Sequence, residues 1–164
     1  MSTDATYQLL IDLLDDAGVP YRLIEHAAEG RTEQASELRG HPLAQAAKCI
    51  VVGVRMSGHH ARHVLAVVPG ASKVDLHTVR DLAGGTAASL APAATAVELT
   101  GCEIGSIVPF RLLPTDMDVY ADPWLIEQPT LYFNAARLDR SVAISTADYL
   151  EVAAPHLEPV AAAA

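Results

Sequence analysis

The stretch Ala46-Ala47-Lys48-Cys49-Ile50-Val51-Val52-Gly53-Val54 decides how the chain folds. It is short, almost wholly apolar and rich in β-branched residues, with Gly40 and Pro42 before it and Ser57-Gly58 after it, so it reads as a buried strand. Side chains alternate across a strand, which puts Lys48 on the face of Ile50, Val52 and Val54. An ammonium at the edge of an apolar face is costly unless it meets an anion or water. Either Lys48 stands where the strand begins and snorkels its head into solvent, or the strand keeps it to grip a ligand.

Working outward, Met56 to Ala61 is a polar turn and His63-Val64-Leu65-Ala66-Val67-Val68 a second apolar run, so the two runs form an antiparallel hairpin closed by Pro69-Gly70. Toward the N-terminus, Tyr7, Leu10, Ile11 and Leu14 repeat at helical spacing over Thr3 to Ala17 and stop at Gly18-Val19-Pro20. Tyr21 to Glu25 is a short strand delivering His26 to a loop. Thr32 caps a helix through Leu38 that Gly40 closes. Beyond the hairpin, Ser72 or Asp75 caps a helix carrying Leu76, Val79 and Leu82, and Ala91-Pro92 opens another that runs to Gly101. The segment Gly101 to Phe110 is a glycine-rich loop entering a strand. Val119-Tyr120, Thr130 to Phe133 and Ser141 to Ile144 are further strands, Thr146 caps a last helix, and residues 155–164 are a flexible tail. Short helices interleaved with such strands predict an α/β fold with a mixed, largely antiparallel sheet.

Length and composition bound the rest. The 164 residues, 51% hydrophobic and 19% charged, fit one compact globular domain spanning 1–164, with its core at about 5–152. No apolar run spans a bilayer and Met1-Ser2-Thr3-Asp4 lacks the pattern of a signal peptide, so a cytoplasmic protein with no membrane partner is expected. Cys49 and Cys102 lack metal-type spacing and read as buried thiols. A net charge of -9 disfavours extended nucleic-acid surfaces, and DNA is not expected as a partner. A grip on the last nucleotides of an RNA needs only a local positive patch and stays compatible with that charge. His59, His60 and His63 lie in a turn with no carboxylate to complete a metal site. No Gly-x-Ser-x-Gly elbow and no Walker loop occurs. Neither a metal nor a cofactor is expected.

Chemistry is left to Lys48 and the loop from Gly101 to Pro109, whose glycines can turn N–H groups toward a phosphate or an oxyanion, or simply connect two elements. Here a family likeness emerges. Ala47-Lys48, Val67-Val68-Pro69-Gly70, Ser89-Leu90-Ala91, Thr100-Gly101-Cys102-Glu103 with Gly105-x-x-x-Pro109-Phe110, and Phe133-Asn134-Ala135 resemble, in this order, the YbaK/prolyl-tRNA synthetase-associated editing domain family. The likeness covers about residues 5–152 and no synthetase domain accompanies it, which implies a free-standing, trans-acting member.

The resemblance implies a compact mixed α/β domain that hydrolyses the ester joining a wrong amino acid to the 3′ ribose of a tRNA. It assigns a catalytic part to Lys48, Gly101 and Gly105, and substrate contacts to His26, Ser106, Pro109 and Asn134. The expected partner is the aminoacyl-tRNA 3′ end, with a synthetase or an elongation factor as accessory. The chain departs from the family at Ala136, where many members have glycine, which bears on turn geometry. It departs again at Leu138, where some have histidine, which bears on alanine as the discriminated amino acid. The Arg39-Gly40 and Gln45-Ala46-Ala47-Lys48 context resembles members that clear seryl- or threonyl-tRNA, with alanine or cysteine as further substrates. The competing expectation is a non-catalytic homologue that binds a tRNA end or a nucleotide and serves regulation.

Overall fold

The computed structural model describes residues 2–162. The chain opens with helix α1 (Thr3–Ala17), capped at its start by the Ser2 hydroxyl and ended by Gly18 in the left-handed conformation. Strand β1 (Tyr21–Glu25), helix α2 (Thr32–Arg39) and a short 3-10 turn (Leu43–Gln45) lead into strand β2 (Ala47–Arg55). Strand β2 pairs antiparallel with β3 (Ala61–Pro69), Lys48 opposite Val68 and Arg55 opposite Ala61, as the alternation of the two runs predicts.

Next come β4 (Lys73–Val74), α3 (Leu76–Leu82), β5 (Ala87–Leu90), α4 (Ala93–Thr100), a long irregular segment, and β6 (Asp118–Ala121). The last elements are β7 (Thr130–Arg137), β8 (Arg140–Ser145), α5 (Thr146–Ala153), β9 (His156–Leu157) and β10 (Ala161–Ala162). Five strands form one sheet in the order β5-β2-β3-β6-β9, in which β6 runs parallel to β3 and to β9; β1-β8-β7 form an antiparallel second sheet. The architecture is the mixed α/β expected.

The central strands of the five-stranded sheet are buried on both faces. Val51, Leu65, Val67 and Val119 pack on one side against α1, the three-stranded sheet and Tyr149 of α5. Val52, Val54, Val64, Ala66 and Val68 pack on the other against Val79 of α3 and Val160 near the C-terminus. At about 25 cal/mol per Å² of apolar surface removed from water, such layers dominate the folding energy.

Several local expectations change. Asp75 caps α3, but α2 begins at Thr32 behind Arg31 with no side-chain cap, and Ser145, not Thr146, caps α5. No strand follows Gly101 directly: residues 107–117 stay irregular, anchored through the buried Val108, Phe110 and Met117. The tail is not loose over its described part. Its residues 156–157 and 161–162 extend β6 and β4, and Val160 is fully buried.

Candidate functional site

The cavity that matters is made by an interrupted ladder. Strand β5 pairs with β2 only from Val52 to Arg55. The Ala91 N–H then donates to the Val51 carbonyl at 2.9 Å, and Pro92, which has no N–H, cannot add another rung; α4 turns away instead. On the other side, β7 reaches only Ala46, through an isolated parallel bridge from Tyr132. Between these two ends the edge of β2 at Lys48, Cys49 and Ile50 lines a cleft of about 400 Å³. That size suits a small ligand.

Three further elements close the cleft. Helix α2 presents Thr32, Ala35 and Arg39, spaced i, i+3, i+7 and so sharing one face. Strand β7 supplies Phe133 and Asn134. Gly30 and the Ile104-Gly105 turn form the remaining wall, and the apolar lining is dominated by small residues such as Ala35, Ala47, Ala91 and Ala96. Leu90 and Ile104 sit at the rim with more than half of their surface exposed. Among the described residues no aspartate, glutamate or histidine lines the cleft.

Lys48 is half-buried in this cleft, and among the described residues its ammonium has neither a hydrogen-bond acceptor nor an ion-pair partner. Burial, helped by the nearby Lys73 charge, holds its pKa below the ordinary lysine value. A second cation, Arg39, also lacks a carboxylate, and burial pushes it down to about 10. The Cys49 thiol is driven well above its usual pKa by burial, which keeps it protonated and unsuited to attack.

Part of the same lining rests on Asn134, whose side chain uses every hydrogen-bonding position. Its Nδ2 donates to the Glu29 carbonyl at 2.7 Å and the Gly105 carbonyl at 2.9 Å. Its Oδ1 accepts from Arg39 Nη1 at 3.2 Å and Ser141 Oγ at 2.9 Å. Asn134 thus ties two loops, α2 and β8 together. Gly105 occupies a turn closed by the Ser106 N–H donating to the Glu103 carbonyl at 3.0 Å, with φ of 91°. A Cβ there would fall 2.7 Å from the Gly30 Cα, so the two glycines let these backbones touch. Among the described residues the Ile104 and Gly105 N–H groups have no protein acceptor, leaving two free donors on residues that line the cleft.

Of the seven residues singled out in the sequence, Lys48, Gly105 and Asn134 meet at this cleft; the other four do not line it. Gly101 ends α4 with φ of 71°; its N–H donates to the Val97 carbonyl at 2.8 Å, and its carbonyl accepts from Thr6 Oγ1 at 2.7 Å, docking α1. Its amide is thus bonded within the end of α4. Ser106 is fully buried, its hydroxyl closing the turn on the Glu103 carbonyl at 2.9 Å. The Pro109 carbonyl accepts from the Tyr149 hydroxyl at 2.9 Å. His26 bonds Ser141 Oγ at 2.7 Å through Nε2 and the Ala27 carbonyl through Nδ1, standing behind Asn134.

Sequence reasoning passed over Gly30 and took Arg39 only as context. The signal for Arg39 was present: it shares a helix face with Thr32 and Ala35 and has no acidic residue one turn before it. The two departures from the family pattern are also placed. Ala136 sits at the irregularity between Asn134 and Arg137 with φ of 59°, the left-handed region where glycine is at ease. The Leu138 side chain lies against Gly30. Among the described residues no helix is long and apolar enough to cross a membrane.

The chain is 43% identical over 153 residues to the Multifunctional Ser/Thr-tRNA deacylase ProXp-y of Escherichia coli strain K12, covering 93% of this chain and 90% of that protein, and matches its counterpart in strain O157:H7 to the same degree. Among solved structures, a hypothetical protein superposes with a TM-score of 0.83 at 21% identity, covering 94% of this chain and 99% of the other. A candidate trans-editing enzyme for prolyl-tRNA synthetase superposes with a TM-score of 0.80 at 20% identity, covering 96% and 98%. Those two likenesses establish the fold. The aminoacyl-tRNA editing domain family matches residues 26–152, which hold every wall of the cleft, and the chain belongs to that family.

Proposed function

We propose that the protein is a trans-acting aminoacyl-tRNA deacylase. It hydrolyses the ester of tRNA mischarged with a small amino acid, serine and threonine first, alanine and cysteine after them. The observation that carries this reading is the end-to-end relationship, at 43% identity, to a protein named as a Ser/Thr-tRNA deacylase.

The cleft supplies suitable chemistry. A carboxylate or imidazole base is absent from its lining, so water attacks the acyl carbon with help from the substrate itself, the ribose 2′-hydroxyl orienting it. The Ile104 and Gly105 N–H groups face the carbonyl oxygen as it gains charge; removing one such donor typically costs about a hundredfold in rate. The Lys48 ammonium holds the ester region through a charge-assisted hydrogen bond, stronger for being half-buried. Asn134 and the residues behind it fix the turn.

Size sets specificity. The alanines admit small side chains and Phe133 limits larger ones. One methylene changes discrimination by only about 1 to 3 kcal/mol, so activity on serine, threonine, alanine and cysteine esters overlaps. The acidic chain has a net charge of -9 and no basic run, so a synthetase or an elongation factor supplies the positive surface that recruits the tRNA body.

A second reading draws on the same missing base: a module that binds the charged RNA end without cleaving it. Single-turnover assays on Ser-, Thr-, Ala- and Cys-tRNA separate the two. The deacylase reading expects release of free amino acid, fastest from Ser- and Thr-tRNA. Binding without release from any of the four leaves the binding module.

A further inference from the structure

The chain carries 20 acidic against 11 basic residues, yet among the described residues its cleft is lined by two cations and no carboxylate. One of them, Arg39, is held rigidly by neutral acceptors alone. Its Nε–H donates to His41 Nε2 at 2.9 Å, Nη1 to Asn134 Oδ1 and Ser141 Oγ at 3.2 Å each, and Nη2 to Ser36 Oγ at 3.4 Å. Because Arg39 can only donate, His41 must be neutral with its proton on Nδ1, where it meets the Pro42 carbonyl at 2.8 Å; the ring is stacked on Tyr132 at 3.8 Å. Four of the five guanidinium N–H groups are taken. Among the described residues the fifth, on Nη2, has no acceptor and the positive charge has no ion-pair partner.

A partly buried, un-neutralised cation is costly, and an anion in the cleft removes that cost. The remaining N–H and the charge suit a phosphate oxygen, and a guanidinium already fixed by the protein loses little freedom on binding. We propose that Arg39 is a phosphate-binding residue. It takes the phosphate on the 5′ oxygen of the terminal adenosine, leaving Lys48 free for the acyl end. The identity of the ligand as an RNA end rests on the deacylase reading; the grip on a 5′-phosphate does not.

The test is calorimetric or NMR titration of the intact protein with adenosine, AMP and the dinucleotide CpA, none of which carries an aminoacyl ester. Wild type should bind AMP and CpA about tenfold more tightly than adenosine, with an advantage that shrinks as salt rises. Arg39→Gln should erase the advantage and leave adenosine binding within about twofold; Arg39→Lys should keep part of it. Equal binding of all three, or of none, by wild type overturns the proposal. So does Arg39→Gln weakening all three alike, which marks a purely structural role through Asn134, or Lys48→Ala erasing the advantage while Arg39→Gln keeps it. AMP favoured with CpA no better than adenosine marks a free-nucleotide site and overturns the RNA-end assignment. Deacylation of charged tRNA is read separately, so loss of one conclusion does not carry the other with it.

Discussion

The two halves of β2 each carry one cation in an otherwise apolar run and meet opposite fates. From Val52 to Arg55 the strand has β3 on one edge and β5 on the other, and Val52 and Val54 are fully buried. From Ala47 to Ile50 it has β3 alone, and the free edge becomes the wall of a cleft. Nothing in the apolar run itself marks the change. The boundary is set forty residues away, where Ala91 makes the last rung and Pro92 ends the ladder. A strand can thus be scaffold over half its length and site over the other half, with the partner's sequence drawing the line.

Substitutions in the two halves should separate activity from stability. The largest effect is expected from Lys48→Ala in the open half: deacylation falls at least about a hundredfold, or roughly 2.7 kcal/mol of barrier, while the unfolding midpoint stays put. Unchanged turnover would remove Lys48 from the chemistry. Gly105→Ala, across the cleft, should lower both. Its Cβ meets the Gly30 backbone at 2.7 Å in a left-handed conformation, and about 2 kcal/mol of stability should go along with most of the activity. In the paired half, Val52→Ala should cost about 2 kcal/mol in denaturant unfolding and leave turnover per folded molecule intact. Gly101→Ala sharpens the contrast between the loop's two glycines: stability is lost at a helix cap where the added Cβ would fall 2.8 Å from the buried Thr6 Oγ1, with kcat/KM preserved. A large catalytic defect there would restore Gly101 to the site.

The smallest effect is on pH. The Arg39 Nε–H bond needs neutral His41, and burial first, then the Arg39 charge, hold the His41 pKa below its ordinary value of about 6.5, against the pull of the Pro42 carbonyl. The unfolded chain therefore binds that proton more readily. Stability should fall as pH drops below about 6.5, with this contribution fully lost once pH passes the folded-state value. His41→Gln, which keeps an acceptor for Arg39, should flatten that acid limb when unfolding midpoints at pH 7.5 and pH 5 are compared.

What the sequence disclosed follows the range of the forces involved. Helix α1 and the β2–β3 hairpin were legible because local periodicity and turn chemistry specify them. Strand β5 was not: Ala87-Ala88-Ser89-Leu90 has no apolar alternation and exists because β2 offers an edge. The same holds for the two-residue ladders of the tail. Within the site, Lys48 stood out by chemistry and Gly105 by its spacing from Pro109. Which residues of a glycine-rich loop face a cavity is a matter of tertiary placement, and four of the seven candidates lie outside the cleft lining. Arg39 was hidden for another reason. Arginines on short helices usually face solvent, and only the absence of any carboxylate around this one sets it apart.

Val160 gives the family boundary a practical meaning. The editing-domain match stops at residue 152, yet eight residues further on this valine fills the second core between α3 and β3, with β9 and β10 zipped on either side of it. A chain trimmed to the matched region would leave the β6 margin unpaired and a hydrophobic socket open to water, inviting one molecule to stack on the next. Any shortened version meant for assays or crystals should keep the C-terminal segment through Ala162.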